Sequence, residues 1–260
     1  MARAAAFFDL DKTLMAGSSG MQFGRVAARS GMVSRRKMLA WGLGHLRYRL
    51  RGVSDEQAES LVAEARELLK GVPERDLARM VPDLLGGILP RVYPRMLDEV
   101  RTHQDAGRAT FIVSAAGHNI VELLAEVLGM EGGIGTRYEV GANGAFTGRL
   151  DGPFLYGEGK VTGMRRFAEE HDLDLAESYA YSDSVSDLPM LRAVGNPVVV
   201  NPDAGLAAVA KEEEWQVLRF EKLGRRLAIA GAALTAAAAG GAGAFARRRR
   251  PRRFPRPRRR

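Results

Sequence analysis

The chain has 260 residues, 46% of them hydrophobic and 27% charged, which is typical of a soluble globular protein with one core or a core carrying an inserted domain. It contains no cysteine, which excludes disulfides, thiolate metal sites and cysteine nucleophiles. The net charge of +8 comes from residues 12–54, with nine Lys/Arg and no Asp/Glu, and residues 247–260, with ten Arg; this pattern predicts anionic partners at specific places.

The first apolar run, Ala4 to Phe8, predicts a buried parallel strand. It is too short for a signal peptide, so we expect the catalytic part to be cytoplasmic. Asp9 and Asp11 follow directly, and residues two apart in extended backbone point the same way, so both carboxylates should face one site. Beside a divalent cation, one of two such carboxylates can attack phosphorus and form an aspartyl-phosphate, while the other gives a proton to the leaving alkoxide.

Residues 15–90 show only helical patterns and predict a helical cap inserted between the first and second core strands. Ser34 can cap a helix that carries Leu39 to Leu50, and Ser54 with Gln57 forms a capping box before a second helix. Gly71 and Pro73 should end that helix. Such a cap would lie above the carboxyl ends of the strands, where open α/β sheets bind ligands.

The remaining core is predicted from residues 91–224, which complete an α/β fold with 1–14. Short apolar runs at 110–113, 179–181 and 198–200 predict further parallel strands, and helical patterns lie between them at 120–128 and 161–167. This alternation indicates a doubly wound, Rossmann-like parallel sheet. Residues 136–150, with Asn143-Gly144 at their centre, predict a β-hairpin inserted in that core.

A second acidic constellation, Ser182 to Asp187, follows the predicted strand 179–181. Mg²⁺ prefers oxygen ligands and keeps several waters, so Asp183 is a candidate ligand, with Asp187 as a ligand or water holder. Ser114 ends the strand 110–113, and Lys160 lies in a glycine-containing loop before a helix. A hydroxyl and an ammonium are suited to the equatorial oxygens of a phosphoryl group.

Residues 225–260 predict an Ala/Gly-rich connector followed by a polyarginine arm. Spanning a membrane would be marginal for 227–246, because four glycines oppose insertion. We therefore expect the arm to bind an anionic membrane surface, placing the protein peripherally at the inner face of the membrane, or to bind nucleic acid non-specifically. For the basic cap segment the alternatives are a solvated helical face and contact with anionic lipid or an acidic substrate.

The four elements around Asp9, Ser114, Lys160 and Asp183, in this order, resemble the four motifs of the haloacid dehalogenase superfamily. The cap after the first motif is similar to that of phosphoserine phosphatase and its relatives. The stretch FFDLDKTLMAGSS and the run from LGMEGGIGTRYEV to GAFTGRL look like subfamily IB hydrolases. The resemblance covers about residues 4–205.

The resemblance implies a Mg²⁺-dependent phosphomonoester hydrolase with Asp9 as nucleophile and Asp11 as general acid/base, its carbonyl also on the metal. It also implies that Thr13 orients the loop. The implied phosphate-binding residues are Ser114, Lys160 and Thr13, and the implied metal ligands are Asp9, Asp11, Asp183 and Asp187. His118 is left out of the site, because a histidine at a helix N-terminus is more often a capping or surface residue.

The sequence departs from the family pattern at two places, and the first bears on the substrate. The glutamate that binds the ammonium of phosphoserine is absent from Met15 to Ser19, which makes phosphoserine a doubtful substrate. Ser182 replaces the usual glycine, a change that we expect to be tolerated. A phosphorylated metabolite and a lipid-linked phosphate both stay open as substrates. The alternative functions are a phosphotransferase of the same mechanism and a non-catalytic protein that binds membrane or nucleic acid through its basic segments.

Overall fold

The computed structural model describes residues 3–32 and 55–220, with side chains omitted for 55–61. The chain divides into a compact unit, Met1–Leu218, and a second unit, Arg219–Arg260. The basic helix predicted from Ser34, the capping box at Ser54 and the tail from 225 onward lie outside the described residues. The predictions of a membrane or nucleic-acid partner depend on those segments, and they stay predictions.

Six parallel strands form the main sheet, and two antiparallel strands form a separate hairpin. In chain order the strands are β1 (Ala5–Asp9), β2 (Ala109–Gly117), β3 (Gly132–Thr136), β4 (Tyr138–Val140), β5 (Phe146–Leu150), β6 (Tyr179–Ser182), β7 (Asn196–Val200) and β8 (Gln216–Leu218). The main sheet has the order β3-β2-β1-β6-β7-β8, so the chain builds outward first on one side of β1 and then on the other.

Helices connect the strands. They are α1 (Ser19–Arg29), α2 (Asp55–Leu69), α3 (Glu74–Ile88), α4 (Pro94–Asp105), α5 (His118–Val127), α6 (Glu158–Glu170), α7 (Leu188–Arg192) and α8 (Ala204–Glu212), with short 3-10 turns at Leu89–Arg91 and Val185–Asp187. None of the helices in 3–32 and 55–220 is long and apolar enough to cross a membrane.

Strands β1, β2, β6 and β7 are largely buried because apolar side chains cover both of their faces. On one face, Phe7, Phe111 and Val113 pack in a core cluster with Met164 of α6 and Met190 of α7. On the other face, α4 brings a buried histidine against the aromatic rings of β1 and β6, with the ring pairs Phe8–Tyr181 and His103–Tyr179. The doubly wound α/β prediction and the four predicted core strands are confirmed.

Helices α1, α2 and α3 lie between β1 and β2, where the helical insertion was predicted; its limits at 15 and 90 stay a prediction. Val26, Met80 and Leu84 from these helices pack against Ile120 of α5. The predicted hairpin is also observed, as β4 and β5, and its backbone bonds to the turn between α2 and α3. Gly71 N–H donates to the Phe146 carbonyl at 2.8 Å, and Phe146 N–H donates to the Val72 carbonyl at 2.9 Å.

Candidate functional site

The site lies where β1 and β6 leave the sheet, at the point where the direction of winding reverses. Open α/β sheets bind ligands at this switch point, beyond the carboxyl ends of the strands. Asp9 is the last residue of β1 and is paired in register with Val113 of β2, so Ser114 follows beside it. On the other side Phe8 is paired with Tyr181, which places Ser182 next to Asp9.

Lys160 joins the two acidic motifs. Its Nζ lies 2.6 Å from Asp9 Oδ1 and 2.7 Å from Asp187 Oδ2, and its side chain is only 4% exposed. The prediction that Lys160 lies in a loop before a helix is wrong, since it belongs to the first turn of α6. The helix begins earlier because Gly157, at φ 52, reverses the backbone before Glu158.

Asp187 is held by two donors, Lys160 Nζ and the buried hydroxyl of Ser182, which donates to Oδ2 at 2.7 Å. Asp187 stands at the N-cap position of α7, but its side chain accepts no capping hydrogen bond. Its position therefore follows from the contacts with Lys160 and Ser182. Ser182 was expected to be a tolerated departure from the family pattern, and that departure was the available signal.

Asp183 is buried and pairs with the ammonium of Lys12 at 3.5 Å. Lys12 has φ 61, a left-handed conformation that is uncommon for a residue with a side chain. Lys12 was not predicted as a site residue, because the position of a lysine beside Asp11 does not show which carboxylate its ammonium will reach.

Asp11 faces the start of the cap. Its Oδ1 accepts from the backbone N–H of Ser19 at 2.7 Å, and its Oδ2 accepts from Ser18 Oγ at 3.2 Å. Ser19 is the first residue of α1, so the carboxylate of Asp11 satisfies a free amide at the helix N-terminus. The structure thereby connects the predicted acid/base residue to α1.

Ser114 and Thr13 are both buried in the loops around Asp9. Ser114 Oγ accepts from the backbone N–H of Ala116 at 3.2 Å, so the loop after it curls around its side chain. Thr13 Oγ1 has no hydrogen-bond partner among the described residues. A buried hydroxyl without a partner is rare and is consistent with a site that is completed by a ligand.

His118, which was left out of the site, stands at the first position of α5 and lines a separate depression with Gly135, Arg137 and Arg166. Burial and the charge of Arg137 lower its pKa.

Burial dominates the electrostatics of the site. It raises the pKa of Asp9 against the opposing charge of Lys160, and the carboxylates of Asp187, Asp183 and Asp11 raise it further. Burial also raises the pKa of Asp183 to about 6, although Lys12 acts against this. The pKa of Lys160 is raised by Asp187 and Asp9, which outweigh its burial, so the ammonium stays charged. The four carboxylates are thus close enough to influence one another.

The residues present fit a divalent cation by their chemistry. The four carboxylates are accompanied by two ammonium groups, Lys160 paired with Asp9 and Asp187 and Lys12 paired with Asp183, so negative charge is in excess. Within residues 3–32 and 55–220, no three His, Asp or Glu side chains converge to hold a metal ion unaided. Mg²⁺ does not require such a cage, because it commonly takes one or two carboxylates together with waters and substrate phosphate.

Three curated relatives span most of this chain. It is 35% identical over 221 residues to the "inhibition of morphological differentiation protein" of Streptomyces azureus, which covers 85% of this chain and 79% of the relative. It is 36% identical over 234 residues to a phosphoserine phosphatase of Mycobacterium tuberculosis, covering 88% and 74%. It is 32% identical over 220 residues to a histidinol-phosphatase of Neisseria meningitidis, covering 83% and 98%.

Solved structures share the fold. A protein of unknown function from Bordetella pertussis is 30% identical, with a TM-score of 0.73, and the match covers 84% of this chain and 99% of that one. A substrate-bound phosphoserine phosphatase is 17% identical, with a TM-score of 0.60, covering 88% and 99%, and this likeness concerns the fold alone.

A family model described as haloacid dehalogenase-like hydrolase matches residues 6–192, which include Asp9, the helices α1 to α3, Lys160 and Asp187. The predicted resemblance is confirmed by this match and by relatives that are named as phosphatases. The chain belongs to the haloacid dehalogenase-like hydrolase family and is a phosphatase of that family.

Proposed function

We propose that this phosphatase is a Mg²⁺-dependent phosphomonoester hydrolase that acts through an aspartyl-phosphate on Asp9. The observation that carries the proposal is the contact of Lys160 Nζ with Asp9 Oδ1 at 2.6 Å and Asp187 Oδ2 at 2.7 Å. This contact joins the first acidic motif to the last one around a buried ammonium. Such a constellation suits phosphoryl transfer, where positioning and charge stabilisation supply most of the catalysis.

In the first half-reaction a carboxylate oxygen of Asp9 attacks phosphorus, and the bond to the leaving oxygen breaks. Asp11 gives a proton to that leaving oxygen, so the product departs as a neutral alcohol. Lys160 stabilises the charge on the phosphoryl oxygens, together with Ser114. In the second half-reaction Asp11 accepts a proton from water as the water attacks phosphorus, which releases inorganic phosphate and regenerates Asp9.

Asp9, Asp183 and the backbone carbonyl of Asp11 would hold Mg²⁺, with Asp187 as a ligand or as the holder of a bound water. The bound ion supplies positive charge that offsets the repulsion between the Asp9 carboxylate and the phosphate. Thr13, whose hydroxyl has no partner among the described residues, is proposed to orient the loop around the phosphate.

We propose a small phosphorylated metabolite as the substrate. Relatives named for a substrate, among them a phosphoserine phosphatase and a histidinol-phosphatase, act on compounds of this class. The segment Met15 to Ser19 has no carboxylate that could bind the ammonium of phosphoserine, which argues against phosphoserine itself. A lipid-linked phosphate would depend on the basic segments outside the described residues.

The test is release of inorganic phosphate from a panel of phosphate monoesters, with and without Mg²⁺, by wild type and Asp9→Asn. We expect turnover that requires Mg²⁺ and is lost in the variant. Asp76→Asn, which changes an exposed carboxylate on α3, is the matched control and should keep full activity. Added alcohol acceptors distinguish hydrolysis from phosphotransfer, because transfer would yield new phosphate esters. Equal activity of Asp9→Asn and wild type would refute the mechanism.

A further inference from the structure

Ser182 is the last residue of β6, and its side chain is fully buried among the acidic residues of the site. Its Oγ accepts from the backbone N–H of Ser184 at 3.3 Å and lies 2.7 Å from Asp187 Oδ2. A hydroxyl has one proton to donate, and a carboxylate can only accept. The proton of Ser182 is therefore directed at Asp187.

Asp187 Oδ2 receives both of the donors that reach this side chain within the described residues. Ser182 Oγ and Lys160 Nζ each lie 2.7 Å from it. Hydrogen bonds to an ionised acceptor are stronger than neutral ones, so two of them on one oxygen restrict the rotation of the carboxylate. Neither of these two bonds falls on Oδ1.

We propose that Ser182 is a positioning residue that, together with Lys160, orients Asp187 and leaves Oδ1 to a Mg²⁺ ion or to a water on that ion. This inference rests on the proposed function, since it assigns Asp187 to the metal site. Partners that orient metal-binding carboxylates commonly change metal affinity by about tenfold or more when they are removed. Ser182 thus gains a role in the site beyond filling the end of β6.

Ser178 offers a matched control for a merely structural role. It is also fully buried, and its Oγ also makes two hydrogen bonds, accepting from Ala5 N–H at 2.9 Å and donating to the Asp174 carbonyl at 2.5 Å. It lies before the first residue of β6, whereas Ser182 is the last. Replacing either serine with alanine removes one buried hydroxyl, but only Ser182 touches the site.

The experiment is calorimetric titration of Mg²⁺ into the full-length wild type, Ser182→Ala and Ser178→Ala, with circular dichroism to confirm folding. We expect the dissociation constant for Mg²⁺ to rise about tenfold in Ser182→Ala and to stay unchanged in Ser178→Ala. Ser182→Gly, which also removes the hydroxyl, should likewise bind Mg²⁺ more weakly than wild type. If Ser182→Ala does not fold, Ser182→Gly serves as the second variant.

The Mg²⁺ requirement of phosphate release gives an independent reading. In Ser182→Ala, half-maximal activity should need about tenfold more Mg²⁺, while kcat at saturating Mg²⁺ stays within about twofold of wild type. Equal Mg²⁺ affinity of wild type and the Ser182 variants would overturn the inference and leave the proposed function standing. The inference would also be overturned if Ser178→Ala weakened Mg²⁺ binding as much as Ser182→Ala does. A wild type without saturable Mg²⁺ binding would overturn the proposed function with it.

Discussion

The ammonium of Lys160 lies 2.6 Å from Asp9 Oδ1, although the two residues are 151 positions apart in the chain. Both side chains are less than a tenth exposed. A buried charge is tolerated in a protein only when it is paired, so the ion pair must be present in the folded protein before any substrate arrives.

Lys160→Met should therefore destabilise the protein as well as inactivate it. The variant leaves Asp9 and Asp187 buried without their shared cation, and the free energy of unfolding should fall by about 3 kcal/mol or more at neutral pH without Mg²⁺. Urea denaturation measures the change. Lys211→Met, at an exposed position of α8, is the control and should stay within about 0.5 kcal/mol of wild type. A loss below about 1 kcal/mol in Lys160→Met would show that the pair does not hold the site together.

Asp11→Asn should separate the acid/base step from the attack on phosphorus. A poor leaving group such as an alkyl alcohol needs a proton as it departs, whereas p-nitrophenolate leaves without one. We expect kcat/KM to fall by about 10²- to 10⁴-fold for an alkyl phosphate and much less for p-nitrophenyl phosphate. Burst kinetics measures the formation of the aspartyl-phosphate separately from its hydrolysis. An equal loss on both substrates would contradict the role of Asp11 as general acid.

Two glycines of α6 should respond differently to alanine. In a helix this change gains up to about 1 kcal/mol from helix propensity. At Gly159 the added Cβ would collide with the backbone carbonyl of Phe154. At Gly163 its close contact would be with the end of the flexible Leu155 side chain, and Ile134 would lie at an ordinary contact distance of 3.7 Å. We expect Gly159→Ala to lose about 2 kcal/mol or more and most activity, because Lys160 follows directly. Gly163→Ala should stay within about 1 kcal/mol of wild type; thermal unfolding and phosphate release measure both.

Because of His103, we expect the protein to be less stable in mild acid than at neutral pH. Its Nδ1 accepts from Arg108 Nε at 2.7 Å and its Nε2 contacts the Tyr181 hydroxyl at 2.8 Å, so the native ring is neutral. Burial, then the charge of Arg108, lowers the pKa of His103 to about 4. Since the unfolded chain takes up a proton near pH 6.5 and the native chain does not, this stability is complete above pH 6.5 and declines as the pH falls toward 4.

Urea denaturation at pH 7.5 and pH 5.0 tests this linkage. The loss of stability between the two pH values should be about 1–2 kcal/mol smaller in His103→Gln than in wild type. If His103→Gln kept the whole pH dependence, the acid sensitivity would belong to other groups.

Much of the core could be predicted because its strands carry continuous apolar runs. Ala5 to Phe8 and Val198 to Val200 are buried on both faces, and such runs are distinctive in a sequence. Strands β3 and β8 were not predicted. β3 reads Gly-Gly-Ile-Gly-Thr, and its glycines are required by close packing, since a Cβ at Gly133 or Gly135 would meet the backbone of α5. β8 has only three residues, too few for a pattern.

The sequence by itself determined which residues belong at the strand ends and what chemistry they can perform. Asp9, Asp11, Asp183 and Asp187 were identified by their spacing after apolar runs, and Lys160 and Ser114 by their order between them. Only the tertiary structure decided which of these side chains contact each other. The contact of Lys12 with Asp183 depends on the left-handed backbone of Lys12. The contact of Asp11 with α1 depends on where that helix starts, and the contact of Ser182 with Asp187 depends on how the buried serine side chain is oriented. Spacing along a chain cannot express these features, because distances of about 3 Å between side chains are set by packing in three dimensions.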